Sequence, residues 1–252
     1  MISFVLPAYN EEANLPVLLN KIADAMSAAG RPYRVVAVND GSRDGTSAIL
    51  RRHAERMPVE VITHLVNLGL PRTIVDGLRH AADRGSSEDI IITMDADNSH
   101  EPSYAPAMID LVERGFDVVI ASRYQPGARE VGLSLLRRFL SYAVNRMLAV
   151  LLPIPGVRDY TCGYRAYRAG MLKRLFEYYG DRVVESTTFS AMAEILLKTG
   201  TLGARAAEVP LVLRYDQKRG GSKMKVVATI LDYLRLMARL APGWPQPRRV
   251  RR

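Results

Sequence analysis

Short β-branched runs alternate with amphipathic segments through the first half of the chain, and this alternation predicts βαβ units on a parallel sheet. The runs fall at Ile2–Leu6, Arg34–Asn39, Val59–His64, Asp89–Met94 and Asp117–Ala121. Helical periodicity begins near Asn14, Asp44, Pro71 and Pro102, several of these starts being led by Pro or by a small polar residue suited to a first turn. The expected fold class is α/β, a Rossmann-like, mostly parallel sheet sandwiched by helices.

Polar residues collect where the predicted strands end: Tyr9-Asn10-Glu11, Asn39-Asp40-Gly41-Ser42, Asp95-Ala96-Asp97 and Ser122-Arg123. Ligands of open parallel sheets bind at those carboxyl ends, so the clustering points to a site. After Arg123 the pattern changes to two long amphipathic helices, Leu133–Leu152 and Met224–Leu240, around an irregular region rich in aromatics and arginine. In the first helix Leu136, Phe139, Leu140, Ala143, Met147, Leu148 and Leu151 oppose Ser134, Arg137, Ser141 and Asn145. In the second, Lys225, Thr229, Asp232, Arg235 and Arg239 form the polar stripe. Such stripes cover a core, pair in a homodimer, or rest on a membrane at headgroup level. The Pro-rich, arginine-rich end, residues 242–252, cannot continue a helix and is expected to be a basic tail after one domain spanning 1–241.

Composition narrows the setting. The 252 residues carry a formal charge of +9, which favours an anionic partner; nucleotide diphosphates, lipid phosphates and nucleic acid all qualify on charge alone. The single cysteine, Cys162, excludes an internal disulfide and a thiolate zinc site. No run reaches the roughly 18 apolar residues of a spanning helix, because Arg137, Arg138 and Arg146 interrupt the best candidate. With no signal-like N-terminus, the expected location is cytoplasmic, with a peripheral contact at the inner face of the membrane left open.

Asp95 and Asp97 follow the apolar run Ile90–Met94, and alternate residues of an extended chain share one face. Two carboxylates so placed suit a hard cation, Mg²⁺ or Mn²⁺, completed by phosphate oxygens and water. A solvated turn satisfies the same pattern, so its neighbours decide. Pro7-Ala8-Tyr9-Asn10-Glu11 follows the first strand and Asn39-Asp40-Gly41-Ser42-Arg43-Asp44-Gly45-Thr46 the second. With the D-x-D, these motifs resemble those of the family-two inverting glycosyltransferases of the GT-A fold, in order and over nearly the whole chain. The segments Asp95–Pro102, Ala121–Tyr124, Asp159–Tyr167 and Gly220–Lys223 are similar to the dolichol-phosphate and polyprenyl-phosphate mannosyltransferase branch.

That resemblance implies a nucleotide-sugar donor, GDP-mannose favoured and a UDP-sugar second, a polyprenyl-phosphate acceptor, and no nucleic-acid partner. It implies that residues 1–125 bind nucleotide and metal and 126–241 the acceptor. Pro7, Tyr9, Glu11, Asp40, Gly69, Arg72, Asp95 and Ala96 would then contact the nucleotide, and Asp95, Asp97 and Ser99 the metal, Ser99 standing where relatives often have glutamine. Arg219, Ser222 and Lys223 would form the donor-phosphate loop, while Arg123, Arg137 and Ser141 would seat the acceptor phosphate. Asp97, Arg123, Arg165 and Glu194 would lie nearest the chemistry. Pro71 departs from relatives by removing an amide donor, and Gln217 stands where they place arginine; Arg214, Lys218 or Arg219 are the available substitutes. Two alternatives remain: a soluble glycosyltransferase acting on a hydroxyl with Glu194 or Glu185 as base, and a non-catalytic protein that binds anionic membranes.

Overall fold

The computed structural model describes residues 1–219 and 226–240. The expected strands form as β1 (Ile2–Ala8), β2 (Tyr33–Asp40), β3 (Val59–His64), β4 (Ile90–Thr93) and β5 (Val118–Ser122). Between them lie α1 (Leu15–Ala28), α2 (Thr46–Ala54), α3 (Leu70–Arg84) and α4 (Ala105–Glu113), the last preceded by a 3₁₀ turn at Pro102–Tyr104. Pro71 sits in the first turn of α3, where a missing amide costs no helical hydrogen bond and the fixed φ suits the helix.

Further along come β6 (Arg129–Val131), α5 (Leu135–Leu151), β7 (Arg165–Arg168), α6 (Ala169–Tyr179), α7 (Ala191–Thr201), β8 (Ala206–Pro210), β9 (Val212–Arg214) and α8 (Val226–Leu240). The main sheet has the order β3-β2-β1-β4-β7-β5-β8. All neighbours run parallel except β7, which is inserted antiparallel between β4 and β5. The short β6 and β9 pair separately.

Helix α1 contacts α2 and α4, while α3 packs on α6 and α7, so the sheet is sandwiched. β1, β4 and β5 are almost wholly buried, which is why their apolar runs are continuous rather than alternating. Every strand that carries a polar motif at its end opens that end toward one side of the sheet.

The two amphipathic helices bury polar as well as apolar residues. On α5 the polar residue Asn145 is buried and Arg137 and Ser141 face inward, whereas Leu135, Leu136, Phe139, Val150 and Leu151 are exposed. On α8 Thr229 and Asp232 are buried while Val227, Leu231 and Leu234 are exposed. α8 also buries Tyr233, Leu236, Met237 and Leu240 against the core, and α5 buries Leu148, so each helix turns part of its polar stripe inward and leaves a second apolar strip outside. No helix among the described residues is long and apolar enough to cross a membrane.

Candidate active site

A cavity of about 790 Å³ opens at the carboxyl ends of β1, β2 and β4 and runs beneath α5 and α8. One wall of it, expected to receive the nucleotide, is built by two turns that hold one another. The Asn10 amide donates to Ser42 Oγ at 3.0 Å, the Arg43 amide to Asn10 Oδ1 at 2.8 Å, and the Glu11 amide to Thr46 Oγ1 at 2.8 Å. Gly41 adopts φ +66°, and a Cβ there would lie 2.5 Å from the Val66 carbonyl carbon, so the second turn needs glycine for space and for conformation.

Asp40 reaches the cavity with its oxygens already engaged. It accepts from the amides of Leu68 at 2.8 Å and Gly69 at 2.9 Å, and His64 Nδ1 lies 2.7 Å from it. Asp40 thereby shapes the Asn67–Gly69 turn. The expected phosphate contact Arg72 is drawn away instead: its Nε donates to Asp76 at 2.7 Å, and it lies outside the residues lining the cavity.

The acidic pair lies at the cavity base. The Asp95 amide donates to His100 Nδ1 at 3.1 Å, and the His100 ring stacks on Tyr164, which fixes the loop. Both the amide and the hydroxyl of Ser99 donate to Asp97 Oδ1, at 3.1 and 2.6 Å. Ser99 thereby orients the Asp97 carboxylate while lining the same cavity. Lys218 Nζ donates to the other oxygen, Oδ2, at 2.6 Å. Burial pushes the Asp95 carboxyl above its ordinary range, with His100 opposing and Asp97 reinforcing. Burial works on Asp97 too, but Lys218 and Ser99 outweigh it and hold that group below the usual value.

Arg123 also lines the cavity, yet its guanidinium is almost fully committed. Nε and Nη2 grip Asp159 at 2.8 Å each, Nη2 also donates to Thr161 at 2.6 Å, and Nη1 donates to Ser141 at 3.1 Å. Burial opposes its charge, but Asp159 outweighs burial and keeps Arg123 above its ordinary value. In this arrangement Arg123 fastens the end of β5 to the 159–162 loop and positions Ser141. Arg137 is less encumbered, donating from Nη1 to Tyr215 at 3.1 Å. Cys162 lines the cavity as a buried thiol, pushed up to about 12 by its burial.

Two expected catalytic residues lie outside the lining. Arg165, fully buried on β7, donates to the carbonyls of Tyr160 at 2.6 Å and Met192, tying two loops together. Glu194 is fully buried; Lys198 pairs with it at 2.7 Å, and it accepts from the amides of Glu185 and Ser186 at 3.0 and 2.8 Å. These contacts tie the 160, 185–186 and 192 segments together, and neither residue is among those lining the cavity. Arg219 is exposed beside a smaller adjoining cavity, its backbone clasped by Asn14. Ser222 and Lys223 fall outside the described residues.

Pro7, Tyr9, Glu11, Asp40, Gly69, Asp95, Ala96, Asp97, Ser99, Arg123, Arg137 and Ser141 all line the one cavity. Sequence reasoning missed Asp159 and Asn14 as organisers, although the former lies in a motif already singled out. The sequence profile of the glycosyl transferase family 2 matches residues 3–176. The chain belongs to that family. As a family-two glycosyltransferase with the GT-A fold, it is an enzyme of sugar transfer.

It is 33% identical over 221 residues to the undecaprenyl-phosphate mannosyltransferase of Micrococcus luteus, covering 87% of this chain and 86% of that protein. It is 30% identical to the dolichol-phosphate mannosyltransferase of Pyrococcus furiosus over 95% of this chain, but spans only 63% of that protein. Among solved structures, the glucosyl-3-phosphoglycerate synthase of Mycobacterium tuberculosis, in complex with Mn²⁺, UDP and phosphoglyceric acid, superposes with a TM-score of 0.63. The identity there is 19%, covering 97% of this chain and 79% of that one.

Proposed function

We propose that this glycosyltransferase moves a sugar, with inversion, from a nucleotide diphosphate to a polyprenyl phosphate, with mannose from GDP-mannose favoured over a UDP-linked sugar. The observation that carries the reading is the inward-turned polar face of α5, which brings Arg137 and Ser141 into the cavity that holds the acidic pair. The named relatives at 30 to 33% identity support the same acceptor class.

Lipid phosphate is favoured over a hydroxyl for a chemical reason. A hydroxyl needs a base, and the two carboxylates offered for it are engaged elsewhere: Glu194 with Lys198 and two amides, Glu185 with Lys198 at 3.2 Å. A phosphate monoester is already nucleophilic near neutral pH and needs positioning and charge neutralisation instead. Arg137, with its planar fork, supplies both, while Ser141, held by Arg123, adds a donor.

The acidic pair fits Mg²⁺ or Mn²⁺. Both side chains are hard oxygen donors, a cationic group already sits against one of them, and among the described residues no third acidic, histidine or cysteine side chain completes a cage. Such a partial set suits an ion that completes its shell with substrate phosphates and water. Held by Asp95 and Asp97, the cation would neutralise the leaving diphosphate. Asp40 keeps the 67–69 turn in shape for the nucleotide, and Tyr9 and Glu11 wall the base and ribose.

The outward apolar faces of α5 and α8 carry exposed Arg138, Arg146 and Arg235 beside them. This supports a peripheral seat on an anionic membrane, where an amphipathic surface rests at headgroup level next to the cavity holding Arg137. A homodimer is the competing way to cover that surface, and flotation with anionic vesicles against mass measurement in solution separates the two.

The functional test is a donor panel of GDP-mannose, UDP-glucose and UDP-N-acetylglucosamine with Mn²⁺, with and without a short polyprenyl phosphate. Lipid-dependent release of nucleotide and an acid-labile glycosyl phosphate are expected. An acid-stable glycoside would move the enzyme to the hydroxyl class, and binding with no turnover against any acceptor would favour a binding protein.

A further inference from the structure

The segment after β9 is pinned over the acidic pair from both sides of one lysine. On one side, Gln217 Oε1 accepts from Lys21 Nζ at 2.9 Å. On the other, the side-chain amide of Asn14 pairs with both backbone groups of Arg219, accepting from its N–H at 3.1 Å and donating to its carbonyl at 3.0 Å. Asn14 is buried and also donates to Glu11 Oε2 at 2.7 Å. Lys218, between these clasps, has its ammonium 2.6 Å from Asp97 Oδ2. Ser99 donates to Oδ1, and the lysine occupies the other carboxylate oxygen, Oδ2.

We propose that Lys218 is a built-in counter-ion for the acidic pair: it holds Asp97 while no divalent cation is bound and yields the carboxylate when one arrives. The inference rests on the cation reading above and adds a residue to it. A lysine suits the task because its ammonium is a compact charge on a flexible four-carbon stem, able to swing without breaking a planar fork. A divalent ion carries twice its charge, but it must displace a bonded ammonium to reach Asp97. The diphosphate of the donor gives that ammonium somewhere to go. Cation and nucleotide thereby enter together, and the bare pair is spared repulsion between two carboxylates meanwhile. Asn14, touching both Glu11 and Arg219, ties the lysine's perch to the nucleotide side of the cavity.

The test is Mn²⁺ binding by the full chain, read from the electron paramagnetic resonance signal of free Mn²⁺ at fixed pH and salt, with and without GDP. Lys218→Met is expected to bind Mn²⁺ alone roughly tenfold more tightly than wild type, a modest fraction of the Coulomb term after screening. With GDP present the gap should shrink, because the wild-type lysine has then moved to phosphate. Asn14→Ala, which loosens the perch and leaves the lysine, should shift Mn²⁺ binding the same way by a smaller factor. Equal or weaker Mn²⁺ binding by Lys218→Met, in a wild-type background that binds Mn²⁺ with GDP, would overturn the counter-ion role alone. Absence of Mn²⁺ binding by wild type even with GDP would overturn the cation reading and this inference with it.

Discussion

Two cations sit against carboxylates in the walls of this cavity, and they are held in opposite ways. Arg123 grips Asp159 through two nitrogens, adds Thr161 and Ser141, and is matched by a carboxylate with no exposure that also accepts the amides of Arg123 and Cys162. Lys218 touches Asp97 through a single hydrogen bond, on a segment clasped by Asn14. The difference teaches that charge near a site does not identify what binds substrate. The arginine most conspicuous in sequence is tied to the 159–161 loop and Ser141 by several hydrogen bonds, while Lys218 makes one hydrogen bond to Asp97 with its ammonium over the Tyr215 ring.

The contrast is most easily broken through stability. Asp159→Asn leaves a buried guanidinium without its charge partner, and unfolding free energy should fall by about 3–5 kcal/mol in denaturant titrations. Lys218→Met should cost no more than about 2 kcal/mol in the same measurement; a larger loss there than at Asp159 would invert the comparison. The Asp159 pair also has a pH signature. Burial raises this carboxyl, but Arg123 and the amide hydrogen bonds outweigh it, so its folded value lies below the ordinary one. A depressed carboxylate stabilises the fold above its unfolded value of about 3.9 and loses that contribution as pH falls through the lower folded value. Wild type should therefore keep this contribution through the neutral range and lose it below about pH 4, and Asp159→Asn should flatten that acid limb.

Arg137 sharpens the acceptor side. Bonded only to the Tyr215 hydroxyl among the contacts described, it has nitrogens to offer a phosphate. Arg137→Ala should raise KM for a short polyprenyl phosphate by roughly 10- to 100-fold, the worth of a charged hydrogen-bonded contact, and leave KM for the nucleotide sugar nearly unchanged. A smaller effect is expected at Ser99, whose donors orient Asp97: Ser99→Ala should reduce turnover a few-fold, about 1 kcal/mol, and Ser99→Thr should restore it.

Much of the fold was legible because β1, β4 and β5 are buried strands whose apolar runs and polar ends announce themselves. The cavity wall at the ends of β1, β2 and β4 followed from those polar ends. β7 was not legible: Arg-Ala-Tyr-Arg is short and polar, and its place between β4 and β5 depends on antiparallel pairing across some 70 residues rather than on local pattern. The burial of Arg165 and the pairing of Glu194 with Lys198 are likewise long-range or side-chain facts that periodicity does not carry. Asn14 illustrates the same limit. It reads as a helix start, yet its side chain makes no cap hydrogen bond and reaches Arg219 instead. The stripes of α5 and α8 were visible in sequence, but which side faced the protein was decided only by what the polar residues meet: Arg123, Tyr160 and Thr161 around Ser141 and Asn145, and the 187–190 turn around Asp232.

The acidic pair remains the centre of the account, and one comparison tests it directly: sugar transfer to polyprenyl phosphate by wild type and by the combined Asp95→Asn, Asp97→Asn variant, with folding checked by circular dichroism. Loss of cation-assisted charge stabilisation worth about 4 kcal/mol predicts a fall of roughly a thousandfold in a folded protein. A folded double variant that transfers sugar within about twofold of wild type, well under 1 kcal/mol, would contradict it.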